Sequence, residues 1–134
     1  KLYAMPGVKS QPGMTHYRTF RGPNTLFPAQ AKVGKFGDVF GLFGIRGFGD
    51  VPDGLSNTIF LVEAGDPVPW SKPDEVLLDA KKLPKLGVLA PGKFMVGMLD
   101  GSVRSLDLQK VSEKTLRLAI DPNDGQPLGK DFND

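Results

Sequence analysis

The chain has 134 residues, 17 Lys+Arg against 15 Asp+Glu, a formal net charge of +2 and no Cys. That length fits one domain, and the hydrophobic fraction of 40% sits at the low edge for a globular core. The absence of Cys excludes a disulfide framework, a thiolate nucleophile and a Cys-based zinc site, and so small a charge does not argue for nucleic acid.

Seventeen Gly and twelve Pro imply extensive loops. No apolar run reaches the ~20 residues of a membrane span, and no signal peptide is visible. The first residue is Lys1 rather than Met, which leaves room for an upstream portion. We treat 1–134 as a single domain with an irregular arm over 1–14 and a polar tail over 121–134.

In chain order, Pro6-Gly7 and Pro12-Gly13 mark turns in the arm. Residues 15–21 alternate and carry Tyr17, Phe20 and two Thr, which predicts a strand ended by Gly22-Pro23-Asn24. Residues 31–50 interleave six glycines with Phe36, Phe40, Phe43 and Phe48. A helix would lose ~1 kcal/mol at each glycine relative to Ala, so this stretch reads as a long loop. Its phenylalanines pack on the body or order against a partner.

Residues 57–64 are the most apolar run and predict a central strand. Residues 65–74, with three prolines and Trp70, predict a rigid extended connection. Residues 74–79 predict a short helix, and 80–92 a Lys/Pro/Gly loop.

Residues 93–99 and 102–107 flank Asp100-Gly101 and predict a hairpin with a two-residue type I′ turn. That register pairs Met98 with Val103 and Val96 with Ser105. It puts Phe94, Val96, Met98 and Val103 on the core face and Gly97 beside Arg104 on the other.

Residues 112–120 predict a helix. Ser112 is its N-cap, Glu113 suits its positive end, and Val111 with Leu116 forms a hydrophobic staple. Leu116, Ala119 and Ile120 make its apolar stripe. Asp121-Pro122 stops it, and the end of the acidic tail is expected to fray.

A search for chemistry finds no active site. His16, the only histidine, has no nucleophile motif near it and reads as a surface or half-buried residue. The glycines at 41, 44, 47 and 49 lack the Gly-Lys-Ser/Thr ending of a phosphate loop. Asp121, Asn123, Asp124, Asp131 and Asp134 are hard oxygen donors suited to calcium. Their spacing does not match an EF-hand, so a solvated tail is the preferred reading and no cofactor is expected. Lys81, Lys82, Lys85 and Lys93 lack interleaved aromatics and read as a solvated face. Trp70, framed by prolines, either lids the core or offers a platform for a sugar or partner; packing is the preferred reading.

Two segments go beyond composition. One is Asp50-Val51-Pro52-Asp53-Gly54-Leu55-Ser56-Asn57-Thr58-Ile59-Phe60-Leu61-Val62-Glu63-Ala64, followed by Val68-Pro69-Trp70-Ser71-Lys72-Pro73-Asp74. The other is Phe94-Met95-Val96-Gly97-Met98-Leu99-Asp100-Gly101-Ser102-Val103-Arg104. In order and spacing they resemble the pilin-like family expanded in planctomycete bacteria, a domain of unknown function also labelled solute-binding-like. Tyr17 to Pro23 is similar to that family's strand before a Gly-rich loop. The resemblance covers roughly residues 3–125. Ala90 stands where the family often has His, and Leu55 where it usually has Thr.

The resemblance implies an α+β pilin-like head with a small antiparallel sheet, long Gly/Pro-rich loops and a short C-terminal helix. It implies the C-terminal part of that head, with a prepilin leader, an apolar anchoring helix and the rest of the head upstream. The implied role is a non-enzymatic subunit of a type IV pilus or type II pseudopilus on the periplasmic or extracellular side of the cell envelope. Its partners would be its own N-terminal portion and other envelope subunits. The contact candidates are Phe36, Phe40, Phe43, Phe48 and Trp70. A glycan- or solute-binding module using Trp70, or an accessory subunit of a larger envelope complex, is the alternative.

Overall fold

A computed structural model describes residues 4–27, 48–72, 74–90 and 92–132. Phe36, Phe40, Phe43 and nearly all of the Gly/Phe stretch lie outside the described residues. The fold is α+β. Strands β1 (Met14–Arg18), β3 (Ile59–Pro69), β5 (Lys93–Met98) and β6 (Val103–Asp107) form an antiparallel sheet in the order β1-β3-β5-β6. A second sheet pairs β2 (Phe20–Arg21) in parallel with β4 (Val76–Leu77). A helix, α1 (Glu113–Ile120), packs against the core.

The predicted 15–21 strand is two strands. Thr19 separates them, and its carbonyl accepts from Val76 N–H at 2.8 Å, which turns the chain onto β4. Within β1 the register slips between Thr15 and Tyr17, so that Thr15 faces Val68 while Tyr17 faces Glu63. Thr15 Oγ1 accepts from Tyr17 N–H at 3.2 Å across that irregularity.

β3 corrects the expected 65–74 connection. The strand runs on through Pro67 to Pro69, with Val68 opposite Thr15 and Pro69 opposite Met14. Trp70 N–H then donates to Gly13 O at 3.0 Å, so the pairing continues past the prolines. Strand prolines are tolerated where no ladder bond needs their missing N–H.

The predicted 74–79 helix is also corrected. Arg18 takes the carbonyls that would open it: Nε donates to Asp74 O at 2.6 Å and Nη2 to Glu75 O at 2.9 Å. Val76 is buried and Leu77 exposed, a period of two rather than 3.6.

The hairpin forms with a register one residue away from the expected one. Gly97 faces Val103, Val96 faces Arg104 and Phe94 faces Leu106. Gly101 N–H donates to Met98 O at 3.1 Å, and Met98 N–H to Ser102 O at 2.8 Å. Only Gly101, at φ 84°, takes a positive φ in the turn, so it is a type I turn with a glycine bulge rather than a type I′ turn. Asp100 favours this choice because its Oδ1 accepts from Ser102 N–H at 2.8 Å and Ser102 Oγ at 2.6 Å. Leu106 therefore takes the core position expected for Val103, which is 64% exposed.

β3 changes partners halfway. Leu61 and Val62 pair with Gly97 and Val96, but beyond them Gly87 N–H donates to Glu63 O and Gly65 N–H to Lys85 O. The buried Glu63 carboxylate accepts from Met95 N–H at 2.8 Å, where β3 leaves β5. Gly87, at φ +83°, lets the chain make this crossing; a Cβ there would collide with the carbonyls of Lys93 and Ala90.

α1 is as predicted. Ser112 Oγ accepts from Thr115 N–H at 3.2 Å, and Leu116, Ala119 and Ile120 are buried against the sheet. His16 corrects its reading as a surface residue: it is 3% exposed, with Nδ1 donating to Ala64 O at 3.1 Å. The carbonyl can only accept, which places the proton on Nδ1. The expected fraying of the tail's end is corrected as far as Phe132, since residues 130–132 form a 3-10 turn and Phe132 is buried in the core; residues 133–134 lie outside the described residues.

Candidate functional site

The two motif segments meet at one end of the sheet. Asp53-Gly54 forms a turn closed by Gly54 N–H to Val51 O at 3.0 Å. Asn57 Nδ2 donates to Asp53 O at 2.9 Å, and the buried Thr58 donates its hydroxyl to Gly54 O at 3.1 Å. Thr58 O accepts from Leu99 N–H at 3.0 Å, which joins this turn to the hairpin. Arg104 donates from Nη2 to Ser56 O at 3.1 Å.

Both motifs also grip the tail. The Asp53 carboxylate accepts from Asp124 N–H at 2.7 Å and Gly125 N–H at 2.9 Å, one bond on each oxygen. The Arg104 guanidinium lies over the Phe132 ring, 5.2 Å from its centroid. Asp131 accepts from Ser112 N–H and the Thr115 hydroxyl, each at 2.8 Å. The tail therefore returns along α1 as a strap, fixed at Asp53 and again at Ser112.

Electrostatics follow from these bonds. The donors from Ser112 and Thr115 hold the Asp131 carboxyl below the usual carboxylate range. The Ser102 hydroxyl and N–H do the same for Asp100. Burial pushes the Asp124 carboxyl up, and the charges of Asp53 and Asp121 add to it. Among the described residues no group of three or more His, Cys, Asp or Glu could hold a metal ion. No helix among them is long and apolar enough to cross a membrane.

Register places Leu61, Gly97 and Val103 in one row of the outer sheet face; two residues along, Tyr17 faces Glu63 and Met95 faces Ser105. Tyr17, Leu61, Met95 and Val103, one from each strand, are all exposed. On this face Leu61 and Val103 flank Gly97, and the apolar side chains lie beside Glu63, the exposed Ser105 and the Lys93–Asp107 ion pair.

Of the contact candidates, Trp70 stands at the far end of β3 from the motif turns. It is 51% exposed and borders Gly13, so it does not lid the core. Phe48 opens a 3-10 turn, Phe48–Asp50. The outer face and the strap were missed by sequence reasoning. The first depends on register. The second depends on contacts more than 70 positions apart, signalled in the sequence only by the Asp53-Gly54 turn.

No family model, no curated protein and no solved structure matches this chain.

Proposed function

We propose that the chain is a non-enzymatic structural subunit of a pilus- or pseudopilus-like assembly of the cell envelope. The reading starts from the resemblance of residues 50–74 and 94–104 to pilin-like heads. The observation that carries it furthest is the set of exposed apolar side chains on the outer sheet face, Tyr17, Leu61, Met95 and Val103. Exposed apolar side chains gathered on one face mark a contact site, and aromatic and Met side chains are enriched in such sites. The motif side chains are spent on the fold itself: Asn57, Thr58 and Arg104 all donate to backbone carbonyls. That use of polar groups suits a scaffold.

The intact mass and N-terminal sequence of the protein from its native source test the reading. An apolar segment of ~20 residues before Lys1, with a short basic leader ahead of it, supports it. A native chain starting at Lys1 overturns the membrane anchor and moves the function to a soluble binding subunit. The second reading, a glycan- or solute-binding module, is favoured by the half-exposed Trp70 ring. Calorimetry against a glycan panel with Trp70→Ala separates the two.

A further inference from the structure

The strap is bound the way a peptide ligand is bound. Among the described residues, no backbone–backbone hydrogen bond ties 122–132 to the rest of the chain; Phe132 N–H to Gly129 O stays within the strap. Besides Leu128, which packs against the core, its attachments are side-chain contacts at three places. Asp53 clamps two successive N–H groups, those of Asp124 and Gly125. Asp131 docks on the first turn of α1. Phe132 fills a buried seat under Arg104. Two of the receptor residues, Asp53 and Arg104, belong to the motif segments that the chain places side by side.

We propose that the Asp53–Arg104 cleft is a peptide receptor, filled within one chain by its own residues 122–132 and open to the same segment of a second copy. The occupant follows from the fit. Every receptor group already has its complement in 122–132, so exchange between two copies remakes each contact without a new one. Only tethering favours the closed form, through an effective concentration of ~1 mM for a short link. Crowding copies on an ordered assembly competes with that directly. Exchange of this type is a low-cost route to association. The inference does not depend on the envelope reading, because it needs only two copies of the chain.

Shortening the hinge tests it. Deleting Pro122 and Asn123 from the full chain withdraws ~7 Å of reach between α1 and Asp53. The strap's anchoring residues, Asp124, Gly125, Asp131 and Phe132, and their receptor stay intact, but the strap no longer closes on its own body. We expect light scattering to report a dimer well below ~1 mM, where the parent is a monomer. Adding Phe132→Ala to the shortened chain should return it to monomer. A shortened chain that stays monomeric overturns the proposal. So does a dimer that survives Phe132→Ala, which would have formed through another surface such as the outer sheet face.

A second measurement guards against a shortened chain that fails to fold. Full-length Phe132→Ala leaves its own seat empty. It should bind a labelled 122–132 peptide at least tenfold more tightly than the parent does. The same peptide carrying Phe132→Ala should lose at least tenfold. Equal binding by the variant and parent chains, or by the two peptides, overturns the proposal.

Discussion

Asp131 holds the start of α1 from 19 positions beyond its N-cap: its carboxylate accepts the N–H of Ser112, the N-cap residue, at 2.8 Å. The same carboxylate takes the Thr115 hydroxyl, so the first turn of α1 has a local cap from Ser112 and a remote anchor from the tail. Negative charge at this end of a helix is favourable. Removing the charge as Asp131→Asn should lower Tm at pH 6. The carboxyl titrates below its ordinary value in the fold, so its contribution is present above about pH 4 and is lost as pH falls through the folded value. The gap between parent and variant should therefore narrow below pH 4, measured by thermal unfolding across pH.

Asp124 should behave in the opposite sense. Its carboxyl is pushed up by burial, and Asp53 and Asp121 add repulsion. The charged form is disfavoured in the fold, so the penalty is full above the folded value, shrinks as pH falls through it and is gone below the ordinary carboxylate value. Asp124→Asn keeps an acceptor for Gln126 N–H, which Asp124 Oδ1 now takes at 2.7 Å. The variant should raise Tm at pH 7 and lose that advantage at pH 3.

Leu116 is wholly buried between α1 and the sheet. Leu116→Ala should cost about 2–5 kcal/mol in chemical denaturation, from lost transfer energy and the cavity left behind. Trp70→Ala should cost much less, since the ring is half exposed, yet it should weaken co-assembly with partner subunits. The same split is expected for Phe40→Ala. Equal losses of Tm and assembly would count against a contact role for either residue.

Two glycines with nearly the same φ should respond differently. Gly101→Ala pays the left-handed backbone term of about 1–2 kcal/mol, with open space around the new methyl. Gly87→Ala pays that term and also drives a methyl into two backbone carbonyls. Denaturant unfolding should rank Gly87→Ala as the more damaging, because no side chain can move aside.

The elements that local chemistry determines were legible in the residues. Ser112 with Val111 and Leu116 defines α1, and the apolar run from Ile59 defines the central strand. What local chemistry leaves open was misread. Asp100-Gly101 suits both a type I′ turn and a type I turn with a bulge. The side-chain bonds from Ser102 select the second and shift the register by one. Residues 74–79 have a helical composition, but Arg18, more than 50 positions away, takes their first carbonyls. The strap was hidden for the same reason, since nothing near Asp53 in sequence announces Asp124.

The pairing of Tyr17 with Glu63 has an evolutionary consequence. The described chain on either side of residues 28–47 is fixed separately: Phe27 bridges to Arg21 and lies 6.2 Å from the Phe60 ring, while Val51 is buried on the other side. Loop-closure cost rises only logarithmically, by about 0.6 kcal/mol for each doubling of length. Adding or removing residues between those flanks therefore changes the cost of closing the sheet by little. Selection can alter the length of the chain between them while the Tyr17–Glu63 pairing stays the same.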